Sequence, residues 1–450
     1  MRILYIDIDS LRASHLGCYG YKRNTSPNID KLAGQGIQFN NCYASDTPCL
    51  PSRSAFFTGR FGIHTGVVTH GGTNADPFVL GPTRNFCANQ EYLHFPKVLS
   101  DEAGLKTVSI SSFPTRHAAW WYSQGFDEMY NTGKCGGEVA DDVLPTVEKW
   151  LGENAETDNW FMHAHFWDPH TPYRTPKEYG NPFENEPLSE DWMNDEILAQ
   201  GRDGSHHSTD VMCHYCGKEP GEISSDDFKK WIDGYDTAVK YVDAAVGKIC
   251  DALEKKGVLD DTIIIISTDH GENLGENNVY GDHSLASYST SRIPFVIRWP
   301  NLTAKKEFDA KYYQVDLAAS ILEWAGGSIP EKWDGKSFAS EIKGGADNGR
   351  DYLVSSHCAW SCGRSVFFDD YVMMRTYDDG GKNYPDYMLF NCKEDPLGRN
   401  DLSESQPELL HKGLALLEQW HTDMMRTSQN PDPLWETMHE GGPWHLRKSH

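Results

Sequence analysis

Short, continuously apolar runs alternate with longer stretches of helical periodicity through the first three quarters of the chain. Ile3 to Ile8, Lys106 to Ile110, Asn159 to His165 and Thr262 to Ser267 have strand length and suit burial on both faces. Helical patterns cover Asn28 to Ala33, Phe95 to Ala103 and Asp226 to Lys256, the last closed by Gly257. Ile293 to Trp299 is a further strand, with Pro294 near its start. Strands alternating with helices predict a mostly parallel central sheet flanked by helices. From about Gly344 the texture changes. Tyr352 to Val354, Ser365 to Phe368, Tyr371 to Met374 and Tyr387 to Phe390 are short strand signals between turn residues, as in an antiparallel sheet. A helix over Glu408 to Met425 follows, and the tail from Gln429, with Trp435 and Trp444, is expected to pack back on the body. The predicted organisation is α/β: a large domain over residues 1–345 and a smaller C-terminal α+β domain over residues 346–450.

Composition changes this picture only at the margins. In 450 residues, 38% hydrophobic and 24% charged is ordinary for a folded protein with a sizeable core. The formal net charge of −25 repels nucleic acid and anionic membranes. A small anion is still admissible, because salt screens the far field within roughly 8 to 10 Å. Met1 to Ile6 runs straight into a strand pattern without the features of a signal peptide, and no apolar run approaches the roughly 20 residues of a membrane span. The expectation is a cytoplasmic protein. Its 11 scattered cysteines are expected as reduced thiols.

Ligands of such sheets bind outside the carboxyl ends of the strands. Polar clusters sit at those ends: Asp7 and Asp9, Ser111 to His117, Asp168 to His170, and Asp269 with His270. Strand alternation points Asp7 and Asp9 to one face, about 7 Å apart. Two buried carboxylates there need a cation, the alternative being a pair of strand-end caps. Asp269-His270-Gly271-Glu272 brings a second acid from another strand end, and oxygen ligands from several loops suit Ca²⁺ or Mg²⁺. Cys49-Leu50-Pro51-Ser52-Arg53, running on to Thr58-Gly59-Arg60, reads as a loop entering a helix N-terminus. Backbone N–H groups and Arg53 would favour an anion beside Cys49. The plainer alternative is a buried cysteine before an ordinary helix.

The Cys49 string resembles the signature of type I sulfatases of the alkaline phosphatase superfamily, in which this cysteine is oxidised to formylglycine. The resemblance extends to Asp9-Ser10-Leu11-Arg12, Ser26 to Asp30, Asp168-Pro169-His170, Asp269 to Glu272 and Arg292-Ile293-Pro294. It implies an alkaline-phosphatase-like fold and metal ligands Asp9, Asp269, His270 and the residue made from Cys49. The family's second adjacent aspartate is Ser10 here, and Asp7 is the candidate to restore its charge. The implied cation is Ca²⁺, with Mg²⁺ or Mn²⁺ as alternatives. His170 matches the Pro-His element that contacts the sulfate ester, and Arg116 with His117 matches the family's Lys and His pair more loosely. His283 stands where many relatives have lysine, so activity should fall nearer neutrality. The expected catalytic set is Cys49, Arg53, Arg116, His117, His170 and His283.

The implied activity is hydrolysis of a sulfate ester or sulfamate of a small carbohydrate. Phosphonate monoester or phosphodiester hydrolysis is the alternative. Implied partners are a small sulfated anion and a formylglycine-generating or anaerobic sulfatase-maturating enzyme. Neither nucleic acid nor a membrane is expected, and oligomeric state stays open. His206, His207, Cys213, His214 and Cys216 could hold Zn²⁺, but only one Cys-x-x-Cys pair is present. The favoured reading is a substrate-side insertion. Specificity is expected from that insertion, from the loop His70 to Asn89, and from His357, Trp360 and Arg364.

Overall fold

The computed structural model describes residues 1–78, 94–188, 193–204, 210–302 and 305–446. An eight-stranded sheet forms its centre, in the order Lys306–Tyr313, Ile37–Tyr43, Arg292–Arg298, Thr262–Ser267, Arg2–Ile8, Trp160–Phe166, Lys106–Ile110 and Glu128–Tyr130. All strands run parallel except Arg292–Arg298, which is antiparallel to both neighbours. The mostly parallel α/β prediction is therefore met.

Arg2–Ile8 lies at the middle, and its side chains divide by the two-residue period of a strand. Leu4, Ile6 and Ile8 enter one core with Val239, Val242 and Val246 of the long helix Ser225–Lys255. Ile3 and Tyr5 enter the other, with Phe56 of helix Cys49–Thr58 and Ile321 of helix Val315–Trp324. Asp7 and Asp9 continue the second set. They therefore face the Cys49 helix.

A second sheet has the order Tyr387–Asn391, Tyr371–Asp378, Cys362–Phe368, Tyr352–His357 and Asp46–Thr47. Its first four strands form an antiparallel meander covered by helix Pro407–Thr427, through Leu417 and Trp420. Its fifth, Asp46–Thr47, comes from the N-terminal part and pairs in parallel with Ser356 and His357. The tail does pack back: Trp444 lies so close to Gly71 that a Cβ there would meet its ring at 2.1 Å.

Two expectations need correction. Cys358 and Cys362 are joined in a disulfide, with Cα atoms 4.1 Å apart. The short loop they close brings the two sulfurs together whatever the total cysteine count. Arg364 is no specificity residue at a surface: it is buried and donates from both terminal nitrogens to Asp432, at 2.7 and 2.8 Å. His206, His207 and residues 79–89 of the proposed specificity loop lie outside the described residues. Cys213 is buried in the core, and the Cys216 sulfur lies 3.6 Å from the Asp227 carbonyl. No helix among the described residues is long and apolar enough to cross a membrane.

Candidate active site

Helix Cys49–Thr58 is buried along its whole length and starts at Cys49 itself. It stops at Gly59, whose φ of 68° is the left-handed conformation that closes many helices. Ser52 donates to the Asp269 carbonyl at 2.7 Å, fixing the helix against the end of strand Thr262–Ser267. One turn of helix thus sets Cys49 and Arg53 side by side over the strand ends.

Arg53 is the hub. Its Nε donates to Asp7 Oδ2 at 2.8 Å, and its Nη1 to Asp9 Oδ2 at 2.9 Å and Asp269 Oδ2 at 2.6 Å. Its Nη2 donates to His165 Nε2 at 2.8 Å, and Phe113 covers its guanidinium at 5.1 Å. Burial raises Asp7, but Arg53 and the His163 hydrogen bond hold it well below the usual carboxylate range. Asp269 is pushed up to about 6, by burial and by Asp9, against the pull of Arg53. Three buried carboxylates share one guanidinium. The cluster lacks positive charge, and buried charges persist only when paired.

The deficit lies on one side of Arg53. Donor atoms of Asp9, Cys49, Asp269 and His270 all lie within 4.8 Å of one another. His270 Nδ1 is 2.7 Å from the Gly271 carbonyl, which can only accept, so Nδ1 carries the ring proton. Its Nε2 therefore turns a lone pair toward Cys49 Sγ, 3.2 Å away, and Asp269 Oδ2, 3.3 Å away. Two carboxylates and an aimed imidazole lone pair fit a divalent cation. Burial and the Asp9 and Asp269 carboxylates push the Cys49 thiol up.

Asp7 lies outside this donor group. Alternation gave its face correctly, but it sits two residues deeper than Asp9, where Arg53 Nε and His163 Nε2 take its Oδ2. Ser10, in the left-handed conformation at φ 59°, turns its hydroxyl back on Asp9 Oδ1 at 3.0 Å.

Histidines form the opposite wall. His170 has its Nδ1 on the Thr171 carbonyl at 2.6 Å, so Nε2 is its free end. The His283 ring lies 4.3 Å from that of His270 and 5.5 Å from that of His170. Burial lowers His117, His170 and His283 alike. His117 packs on Phe113 and Trp167. Arg116, beside it, is exposed, its aliphatic chain against Gly136. The buried cation of the site is Arg53.

Sequence reasoning missed several neighbours. His163 and His165 face Asp7 and Asp9 because their strand pairs in register with the first, Asp7 opposite His165. The alternating His-x-His beside Asp-x-Asp was a readable signal. Glu272 is fully buried with neither carboxylate oxygen hydrogen-bonded, and lies 3.6 Å from His283 Nδ1. His445 stacks on Trp360 at 4.0 Å, Trp360 meets His283 edge-on at 5.1 Å, and His445 Nε2 lies 3.1 Å from His70 Nδ1.

A buried cysteine at a helix start, a donor set that fits a cation, a buried guanidinium and two histidines converge in one crevice. The Sulfatase family model matches residues 2–328. The chain belongs to the sulfatase family. An arylsulfatase of Clostridium perfringens is 25% identical over 406 residues, 79% of this chain and 81% of that one. The N-acetylglucosamine-6-O-sulfatase of Bacteroides thetaiotaomicron is 23% identical over 513 residues, 96% and 87% of the two chains. BT4656, solved in complex with its substrate D-glucosamine-2-N,6-O-disulfate, superposes with a TM-score of 0.75 at 19% identity, covering 96% and 99%. As a sulfatase the protein is a sulfuric ester hydrolase.

Proposed function

We propose that the protein hydrolyses a sulfate ester or sulfamate of a small carbohydrate through a formylglycine made from Cys49. The observation that carries this reading is the buried Cys49 sulfur, 3.2 Å from His270 Nε2 and within one donor group with Asp9 and Asp269. Similarity to an N-acetylglucosamine-6-O-sulfatase and to BT4656, which binds a disulfated glucosamine, supports a sugar substrate. Residues 346–450 are taken as a smaller domain, tied to the larger through Asp46–Thr47.

A cation such as Ca²⁺, Mg²⁺ or Mn²⁺, held by Asp9, Asp269, His270 and residue 49, would supply Lewis acidity at the residue 49 oxygen. The aldehyde at residue 49 adds water to give a gem-diol. One of its hydroxyls gives up its proton to solvent and its oxygen bonds to sulfur as the bond from sulfur to the sugar oxygen breaks. Arg53 balances charge on the sulfuryl oxygens, with Arg116 reaching in from the rim, and His170 or His283 gives the departing alkoxide its proton. His117 then takes the proton of the second hydroxyl, the carbonyl re-forms, and sulfate leaves with the transferred oxygen. Asp7 acts behind this, holding Arg53 by its Nε.

The test uses one preparation. Mass spectrometry of the residue 49 peptide establishes the aldehyde. Sulfate release from sulfated mono- and disaccharides is then compared with hydrolysis of an aryl phosphonate monoester and a phosphodiester. Sulfate release is expected to dominate. Dominant phosphorus activity from the verified aldehyde enzyme would replace this reading with a phosphonate or phosphodiester hydrolase.

A further inference from the structure

A turn between two strands is ordinarily among the most exposed parts of a sheet. The turn 358–361, which joins strands Tyr352–His357 and Cys362–Phe368, is buried instead. The Cys358–Cys362 disulfide closes it into a ring, and the two cysteines pack with Val68 and Leu434 behind it.

Each residue between the cysteines makes a contact of its own. The Ala359 carbonyl accepts from the His445 N–H at 3.0 Å. The Trp360 indole meets the His283 ring edge-on at 5.1 Å, and Ser361 Oγ donates to the Ser284 carbonyl at 2.7 Å. Adjacent residues of the turn thus hold His283 twice, by its ring and by the backbone just after it.

His283 differs from its neighbours in what orients it. His170 and His270 are each aimed by a hydrogen bond from Nδ1 to a carbonyl, at 2.6 and 2.7 Å. The buried Nδ1 of His283 has no such partner, and Glu272 Oε1 stands 3.6 Å from it, beyond hydrogen-bond distance. Ring contacts take over: His270 at 4.3 Å and Trp360 at 5.1 Å. Such a contact directs a side chain only if the ring that makes it is itself held. Cross-linking the ends of a short turn removes much of its freedom, and here the freedom removed is that of Trp360 and Ser361.

We infer that the disulfide-closed turn is the positioning element of His283: Ser361 fixes its backbone, Trp360 fixes its ring, and the Cys358–Cys362 bond fixes both. The inference rests on the reading above in which His283 serves the departing sugar oxygen.

The experiment uses Ser361→Ala and the paired Cys358→Ala/Cys362→Ala, each alone and combined with His283→Ala, with the residue 49 aldehyde verified in every sample. Substrates are 6-sulfated N-acetylglucosamine and 4-nitrophenyl sulfate. Ser361→Ala should lower kcat on the sugar about tenfold with KM nearly unchanged, and should spare the aryl ester, whose leaving group needs no proton. A merely loosened fold would slow both substrates. Added to His283→Ala, neither turn variant should cost anything further, because both act through that ring. An unchanged kcat in Ser361→Ala, or the same loss with His283 absent, overturns the inference. A second readout needs no turnover: modification of His283 by diethyl pyrocarbonate, followed by mass spectrometry, should be slow in wild type, where the residue is 3% exposed, and several-fold faster in Ser361→Ala. Should the paired cysteine variant misfold, Ser361→Ala carries both readouts. If wild type hydrolyses no sugar sulfate, or His283→Ala slows both substrates alike, the reading of His283 fails, and the labelling rates alone decide whether the turn holds it; equal rates would overturn the inference.

Discussion

The floor of the crevice and its mouth are built on opposite plans. The floor is one guanidinium inside a cage of three carboxylates and His165, delivered by strand ends and one buried helix turn. The mouth is a stack of rings, Trp360 and His445, contributed by a loop and the tail and meeting His283 of the site edge-on. In the floor every group is fixed by charge, so removing one strands another. In the mouth contacts are ring on ring, each worth about 0.5–1.5 kcal/mol. The same fold thus keeps the reacting atoms rigid while its entrance tolerates change.

The widest separation of the two should come from chelation. Dialysis against EDTA should abolish sulfate release and lower the thermal midpoint, because the carboxylate excess at Asp9 and Asp269 loses its counter-charge, and added divalent metal should restore both. An unchanged midpoint would remove the argument from charge deficit. Arg53→Met comes next. It leaves three buried carboxylates unpaired and should cost about 3–5 kcal/mol in urea unfolding. A variant as stable as wild type would mean the floor is not held by charge.

His283→Ala should slow sugar-sulfate hydrolysis about 10² to 10⁴-fold but aryl sulfate hydrolysis far less, since a phenolate leaves without a proton. Equal losses on both substrates would assign the leaving-group proton elsewhere. A smaller effect is expected at His94, which is buried and stacked on Trp121 at 5.2 Å. Burial lowers it to about 4, against about 6.5 for the unfolded chain. The unfolded state therefore takes the proton first as pH falls. Stability is full above about 6.5 and lost between 6.5 and 4, by about 2 kcal/mol from pH 7 to pH 5. His94→Phe should show correspondingly less acid loss in urea titrations at the two pH values. The smallest change belongs to His445→Ala, expected to raise KM a few-fold with kcat and stability nearly unchanged. A large fall in kcat would move His445 from the entrance into the chemistry.

Much of this was legible in the chain because it is periodic or local. The long helix was expected over Asp226 to Lys256 and occupies Ser225–Lys255, and the late helix expected over Glu408 to Met425 occupies Pro407–Thr427. Asp9, Cys49, Asp269 and His270 converge because each sits at a strand end or helix start that the hydrophobic pattern marks. What escaped depends on depth and neighbour choice. Alternation tells which face Asp7 takes but not that Arg53 would reach it first. The His163 and His165 pair is visible as a pattern, yet which strand lies beside the first is set by tertiary order. Arg364 and Arg116 looked alike as loop cations. One is locked to Asp432, 68 residues away, and the other is exposed, a difference no local signal carries.

The two-residue strand Asp46–Thr47 bears on all of this mechanically. It is the edge of the second sheet, yet only Pro48 separates it from the residue that starts the nucleophile helix. The first turn of the helix is thus held twice, by the central sheet through Ser52 and, across Pro48, by a sheet built from the last hundred residues. Deleting the second sheet would not trim an accessory but slacken one of the two tethers that tension the reacting centre.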